Sequence, residues 1–481
     1  MELAAGMAVG AWGNEIKSGS KSPMSGGSIA AERLHHLKDR ISGLVVHDPV
    51  NQEYKLDREV FLDETIFELE MKYIFEGNWI FVAHESQIAN PHDFLTTCIG
   101  RQPVILTRKA DGEIGAYLNV CSHRGARVCR EKSGNRKIFA CGFHGWCYDS
   151  GGALVNVTDQ KDGAYPESFD LKNFGLPPVA RIASYRGFIF ASLNPDVVPL
   201  NDYLAGAKAF IDLFVEQSPT GKHEVLRGVT RYTYKGNWKL QMENGLDGYH
   251  LGPVHGNYMM TVTRRTAGES KNDTKVVDLA ALNKKGGGGF FAFDHGHTVL
   301  WLDYNNYKDR PNYEFYEDFQ TKYGPERTYW MCNRLRNMLL FPNVFLMDQT
   351  STQIRIIRPV SVDETEITTY CIAPVGESDA ARTLRIRQYE DFFNASGMAT
   401  PDDLTEFNNC QIGFKGRASR YNDVSRGAGR WIKGVNEDGQ TLGFDARMTG
   451  IEKADEGLYL AIHEDWLARM NIALERELAG Q

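Results

Sequence analysis

The chain has 481 residues, with 54 Lys and Arg against 62 Asp and Glu, for a formal net charge of -8. That balance excludes a nucleic-acid partner, and 42% hydrophobic with 24% charged residues is the make-up of a soluble globular protein of two to three domains. No apolar run approaches the ~18 residues of a membrane span. The N-terminus lacks the basic and apolar regions of a secretory signal, and eight unevenly spaced cysteines do not frame a disulfide scaffold, so a cytoplasmic protein without a membrane partner is expected.

Met1 to about Ala30 is rich in Gly, Ser and Ala and predicts a disordered extension, or a start placed ahead of the folded chain. Ala31 to Ile41 predicts a short helix. Phe61 to Phe75 carries Ile66, Phe67, Leu69, Met71 and Ile74 at helical spacing and predicts an amphipathic helix. From Trp79 the texture turns β-like: Trp79 to Val82, Pro103 to Leu106, a turn at Ala110-Asp111-Gly112, and a strand from Ala116 to Val120.

Cys121-Ser-His123-Arg-Gly125 follows, and then Cys141-Gly-Phe-His144-Gly145-Trp146. Two Cys and two His in two tight pairs can hold zinc, or a Rieske [2Fe–2S] cluster in which two Cys bind one iron and two His the other. The order favours the cluster, because each loop then gives one ligand to each iron. Gly125, Gly142 and Gly145 let the backbone turn closely and offer N–H groups to the sulfurs. Cys129 and Cys147 fall outside the pattern and read as small buried hydrophobes.

Tyr185 to Pro195 reads as one strand, Leu200 to Phe214 as an amphipathic helix. Asn237 to Tyr258 then holds His250 and His255 behind Glu243, Asn244 and Asp247. Two imidazoles and one carboxylate make the open facial triad of a mononuclear non-heme Fe(II) site; the bland alternative is two histidines beside a helix end. The spacing predicts a helix carrying Asp247 and His250, a break at Gly252-Pro253, and a turn that brings His255 to the same metal.

Lys284 to Gly289 reads as a loop and Phe290 to Leu302 as a strand. Within it, His295-Gly-His297 reads as a solvated turn rather than a metal pair. Arg327 to Asp348, Gln353 to Val360 and Glu366 to Ile372 read as strands of an antiparallel sheet flanked by helices, and Leu458 to Leu478 as a helix with Trp466 and Leu467 inward.

CSHRG at 121–125, CGFHGW at 141–146, and NWK with ENGLDGYH and the second His at 237–255 resemble the large (alpha) subunit of Rieske non-heme iron aromatic-ring-hydroxylating dioxygenases. FELEMKYIFEGNW, GRQPV, YPESF and TYKGNW are similar to the benzoate, toluate and anthranilate dioxygenase branch. The resemblance spans about residue 55 to the end and implies an α+β chain: an extension over 1–50, a helical lead-in over 51–78, an all-β Rieske domain over 79–195, and a catalytic Fe(II) domain over 196–481.

The resemblance also assigns residues. In PDDLTEFNNCQ the second Asp of the pair, Asp403, is the third iron ligand, leaving Asp402 as a helix N-cap or a solvated charge. Asp247 bridges the two redox centres across a subunit boundary by hydrogen bonding a cluster histidine of one copy and an iron-binding histidine of the next; Asn244 is a neighbour of the iron, and Glu243 reads equally well as structural. The implied reaction is dihydroxylation of an aromatic carboxylate with O2, in an α3β3 assembly with a small beta subunit. NADH-derived electrons arrive from a separate flavin and iron–sulfur reductase, in some systems through a ferredoxin, since no G-x-G-x-x-G fingerprint follows a strand here. Benzoate-type relatives are expected to carry a bulky aromatic after the second His, whereas Gly256 stands here, which favours an ortho-substituted or larger substrate such as salicylate or anthranilate. The competing readings are a salicylate-type monohydroxylase on the same ligands, a Rieske electron carrier, and a zinc module.

Overall fold

The computed structural model describes residues 26–160, 163–264 and 287–480. Of the N-terminal extension, only its last part is described, and it belongs to the helix Gly26–Ser42 rather than to a disordered arm. The loop predicted from Lys284 lies largely outside the described residues; Gly288 already opens a strand.

The core of the larger half is a 10-stranded antiparallel sheet. Six successive strands, Gly288–Ala292, Thr298–Asp303, Arg334–Leu340, Val344–Asp348, Thr352–Ser361 and Glu364–Pro374, each pair with the next. Side chains alternate along a strand. Leu300, Leu302, Leu335, Leu339, Phe345 and Met347 enter one apolar core; Val299, Trp301, Met338, Leu340, Val344 and Leu346 enter another on the opposite face. The helices Trp238–Asn244 and Gly457–Ala479 supply the first core, and the segment Leu200–Val215 with helix Tyr316–Cys332 supplies the second. The sheet is thus buried on both sides, which explains its near-continuous apolar strands.

The other half is built of three small antiparallel sheets. Ile114–Leu118, Gln102–Arg108, Asp93–Ile99 and Ser133–Asn135 form one, Leu154–Asn156, Cys147–Asp149 and Ile138–Ala140 a second, and Arg181–Tyr185, Phe188–Ser192 and Ile80–His84 the third. The third sheet joins the halves: Ile80 and Val82 enter one large core, Phe81 the other. Asn343, from the turn after Leu340, accepts from Phe81 N and donates to Phe81 O, both at 3.0 Å.

Several expectations are corrected. Within Tyr185 to Pro195 the strand is Phe188–Ser192, entered through a turn at Arg186-Gly187 from the strand that ends at Tyr185, and Phe290 to Leu302 is not a single strand but a hairpin segment turning at Asp294–Gly296. Leu200 to Phe214 is two short helices separated at Ala205, whose φ is 44°. Arg327 to Cys332 is the end of a helix, not strand. The stretches read as an N-terminal extension and a helical lead-in also contain strands, Val45–Asp48 and Glu53–Asp57, and the latter pairs with Tyr421–Asp423 near the other end of the chain. His297 is wholly buried, its Nε2 donating to Tyr203 O (2.8 Å) and its Nδ1 accepting from Phe341 N (3.0 Å), so H-G-H is a packed corner rather than a solvated turn. Among the described residues no helix is long and apolar enough to cross a membrane.

Two candidate iron centres

The first centre is made by two loops of matching backbone. Cys121 N donates to Ala126 O at 2.8 Å and Gly125 N to Cys121 O at 2.9 Å; in the second loop Cys141 N donates to Trp146 O at 2.8 Å and Gly145 N to Cys141 O at 3.0 Å. Gly125 and Gly145 hold φ of 73° and 71°, a conformation in which a Cβ is strained. Gly142 has no such demand. Both Cys121 and Cys141 are 3% exposed, inside one apolar cluster with Val128, Phe139 and Trp146. His123 and His144 meet with ring centroids 4.6 Å apart, and His123 stacks on Trp146 at 4.8 Å and 6°. The Tyr148 hydroxyl lies 3.2 Å from Cys121 Sγ. Cys129 is buried as expected, but Cys147 is only half-buried, its thiol on Gly145 O.

The second centre lies between the sheet and the helix Thr400–Gly413. His250 Nε2, His255 Nε2 and Asp403 Oδ1 converge, at 3.2 Å between the histidines and 3.3 Å from each to the carboxylate. The local path differs from the one expected. The helix from Trp238 ends at Asn244, so Asp247 and His250 lie in a turn beyond it. Gly252 and Pro253 fall inside a short helix, Leu251–Val254, in whose first turn the N–H that proline lacks has no helical partner to lose; the break is at His255 itself. Asn244 Nδ2 stands 3.2 Å from Asp403 Oδ1 and 3.3 Å from His250 Nε2. Asp247 Oδ2 is 3.2 Å from His250 Nδ1, while its other oxygen accepts from Tyr249 N. Glu243 is turned away, onto His463 Nε2 at 2.7 Å. Asp402 is not the N-cap: Ala399 precedes the helix, and Asp402 Oδ2 is 4.0 Å from His255 Nδ1. Among the described residues no atom lies within 4 Å of where a Cβ on Gly256 would stand.

These groups fit a divalent metal. Burial opposes a charged His250, yet hydrogen bonding to the Asp247 and Asp403 carboxylates lifts its imidazolium to about 10, and His250 and His255 together pull Asp403 far below the usual carboxylate range despite its burial. Side chains that hold a proton this tightly among three ligand atoms offer the same electron pairs to a cation. Among the described residues this is the one cluster of three His, Cys, Asp or Glu side chains whose ligand atoms all meet. The first centre fits a cluster with two irons: soft sulfurs buried, with imidazoles at the rim.

Residues 78–179 match the Rieske [2Fe-2S] domain and residues 223–470 the catalytic domain of the ring hydroxylating alpha subunit. The chain belongs to that family. The oxygenase is 47% identical to the 2-halobenzoate 1,2-dioxygenase large subunit of Burkholderia cepacia, over 94% of this chain and 97% of the relative. It is 46% identical to the anthranilate 1,2-dioxygenase large subunit of Acinetobacter baylyi, over 91% and 94%. Its fold matches a solved naphthalene 1,2-dioxygenase with a TM-score of 0.77 at 26% identity, covering 88% of this chain and 94% of that one. The oxygenase is therefore an iron-dependent oxidoreductase, with a Rieske [2Fe–2S] cluster and a mononuclear Fe(II). Two features of the candidate centres were not read from the sequence: the Tyr148 hydroxyl on Cys121 Sγ, and Arg355, which lines the same cavity as His250, His255 and Asp403.

Proposed function

We propose that this chain is the large subunit of a terminal oxygenase that adds both atoms of O2 to the ring of an aromatic carboxylate, of the benzoate, anthranilate, salicylate or substituted benzoate type. The observation that carries the reading is the pairing, in one chain, of a Cys/His two-loop centre with a buried His–His–Asp centre. The relatives that match it over nine tenths of its length are named for 2-halobenzoate, toluate and anthranilate.

In this reading Cys121, His123, Cys141 and His144 hold the cluster within the unit at 79–195, and His250, His255 and Asp403 hold the iron within 196–481. The cluster supplies electrons singly and the iron supplies a site for dioxygen. Asp247 fixes the orientation of the His250 ring from its outer nitrogen and bridges to the cluster of a neighbouring copy. Asn244 donates to Asp403 Oδ1, the same oxygen that faces both histidines, and so helps to orient that carboxylate. A small beta subunit, an α3β3 assembly and a separate flavin and iron–sulfur NADH reductase complete the system.

The test is turnover with a compatible reductase, NADH and labelled dioxygen over benzoate, anthranilate, salicylate and halobenzoates, with label counted by mass spectrometry. Two labelled oxygens in a ring diol are expected. One labelled oxygen in a product that keeps every substituent would replace this reading with a monohydroxylase.

A further inference from the structure

Five arginines of the described chain are buried: Arg310, Arg334, Arg336, Arg355 and Arg385. Four face a carboxylate. Arg310 and Arg336 share Asp348, Arg334 lies 3.0 Å from Asp303, and Arg385 lies 2.8 Å from Glu377. Arg355 is 4% exposed and, among the described residues, pairs with no acid. Its hydrogen bond there runs from Nε to Gln353 Oε1 at 3.0 Å. A guanidinium does not shed its proton in a protein, so Arg355 stays a buried cation with its terminal nitrogens unspent. Buried charges are ordinarily paired, because removal from water is costly without an opposite charge.

The place of Arg355 says where the missing charge comes from. It lines the cavity that holds His250, His255 and Asp403. The same cavity has Leu300, Met347 and Phe392 in its walls, an apolar surround suited to a ring. Two more polar groups nearby lack partners. Among the described residues Gln353 Nε2 is buried without a hydrogen-bond partner, and so is the Tyr232 hydroxyl, which feels the charges of both Arg355 and Asp403.

We propose that Arg355 receives the carboxylate of the substrate, with the Gln353 amide beside it, and so determines which edge of the ring is offered to the iron ligands. The inference rests on the aromatic-carboxylate reading above. Two oxygens of a carboxylate match the two terminal nitrogens of the guanidinium, and the anchored end stops the ring turning over in the cavity.

Wild type, Arg355→Gln, Arg355→Lys and Arg355→Met are compared by calorimetric binding of benzoate, 2-chlorobenzoate and the neutral benzamide, by thermal unfolding, and by steady-state turnover. R355Q is expected to bind benzoate about 100-fold more weakly and R355K about 10-fold, as loss of a charge-assisted, two-pronged contact implies. Benzamide binding should change by less than about 3-fold, since no charge is lost from that contact. In turnover the loss should appear in KM rather than kcat. Ligand-free R355M should melt above wild type, because it no longer buries an unpaired cation, and benzoate should raise the melting point of wild type but not that of R355M. Equal losses for benzoate and benzamide with a lowered melting point would make Arg355 a strut of the sheet and overturn the assignment. Undiminished benzoate binding by R355Q would overturn it while leaving the substrate class intact. A wild type that binds no aromatic carboxylate would overturn both.

Discussion

Lys239 Nζ stands 2.6 Å from Glu70 Oε1, and neither side chain reaches solvent. Glu70 also accepts from the indole nitrogens of Trp238 and Trp466, each at 2.8 Å. One carboxylate thus ties the helix Glu64–Glu70, the helix that leads to the iron site and the final helix. Burial pulls the Lys239 ammonium down and Glu70 holds it up. Glu70→Ala leaves a buried cation and two unpaired indole donors, and should destabilise by about 3–5 kcal/mol. The double change Glu70→Leu with Lys239→Met should recover most of that. Urea midpoints followed by tryptophan fluorescence decide it; a single variant no worse than the double would mean the pair carries no such charge.

Asp403 and Asp402 are adjacent, but only Asp403 places an oxygen 3.3 Å from both histidines. Asp403→Ala should lose the mononuclear iron while keeping its acid-labile sulfide, so that the iron-to-sulfide ratio falls towards that of the cluster alone. Asp402→Asn should keep both. The reverse pattern would move the ligand to Asp402.

Ser122 N donates to the Tyr148 hydroxyl at 3.1 Å, which leaves the hydroxyl proton for Cys121 Sγ at 3.2 Å. A hydrogen bond to sulfur favours the electron-rich, reduced cluster. Tyr148→Phe should therefore lower the reduction potential, by roughly 40 mV if the bond contributes ~1 kcal/mol and a one-electron tenfold is 59 mV. Potentiometric titration of the cluster's spectrum reads it, and a potential that rises would refute the direction of that hydrogen bond.

Glu456 is pushed up from 4.5 to about 7, first by burial and then by Asp247 and Glu243, with Arg426 opposing and Asp423 adding a little. Between 4.5 and about 7 the folded chain holds a proton that the unfolded chain has lost. This group's contribution therefore favours folding at low pH and declines as pH rises through that window. Glu456→Gln should be more stable than wild type near pH 8, and the advantage should fade by about pH 5. Urea midpoints across that range test it; a constant difference would remove Glu456 from the account.

The candidate cluster and iron residues stand out in the sequence because they come in pairs close together in the chain: Cys121 with His123, Cys141 with His144, His250 with His255. Asp403 is more than a hundred residues away and needed the family resemblance. Arg355 stayed hidden for a different reason. Its strand is buried on both faces, so alternation along Gln353 to Val360 cannot say which side opens on the cavity. Two hairpins were hidden by their turns. Arg186 and His295 each take a left-handed conformation just before a glycine, with φ of 53° and 64°, where Asn, Asp or Gly would have been the expected residue. The helix through Asp247 was over-extended because a three-residue spacing fits a turn as well as a helix.

Asn343 completes the account of the join between the halves. Its amide meets the N–H and the C=O of Phe81 as a neighbouring strand residue would, so one side chain from the catalytic sheet stands in for a length of backbone. Phe81 enters one large core while Ile80 and Val82 enter the other. The two redox units are consequently not interchangeable cartridges. A chimera that imports a foreign cluster unit inherits a socket cut for a different plug unless Asn343 and the apolar faces of Phe81, Phe188 and Phe190 travel with it, and gene fusions within this family should splice elsewhere.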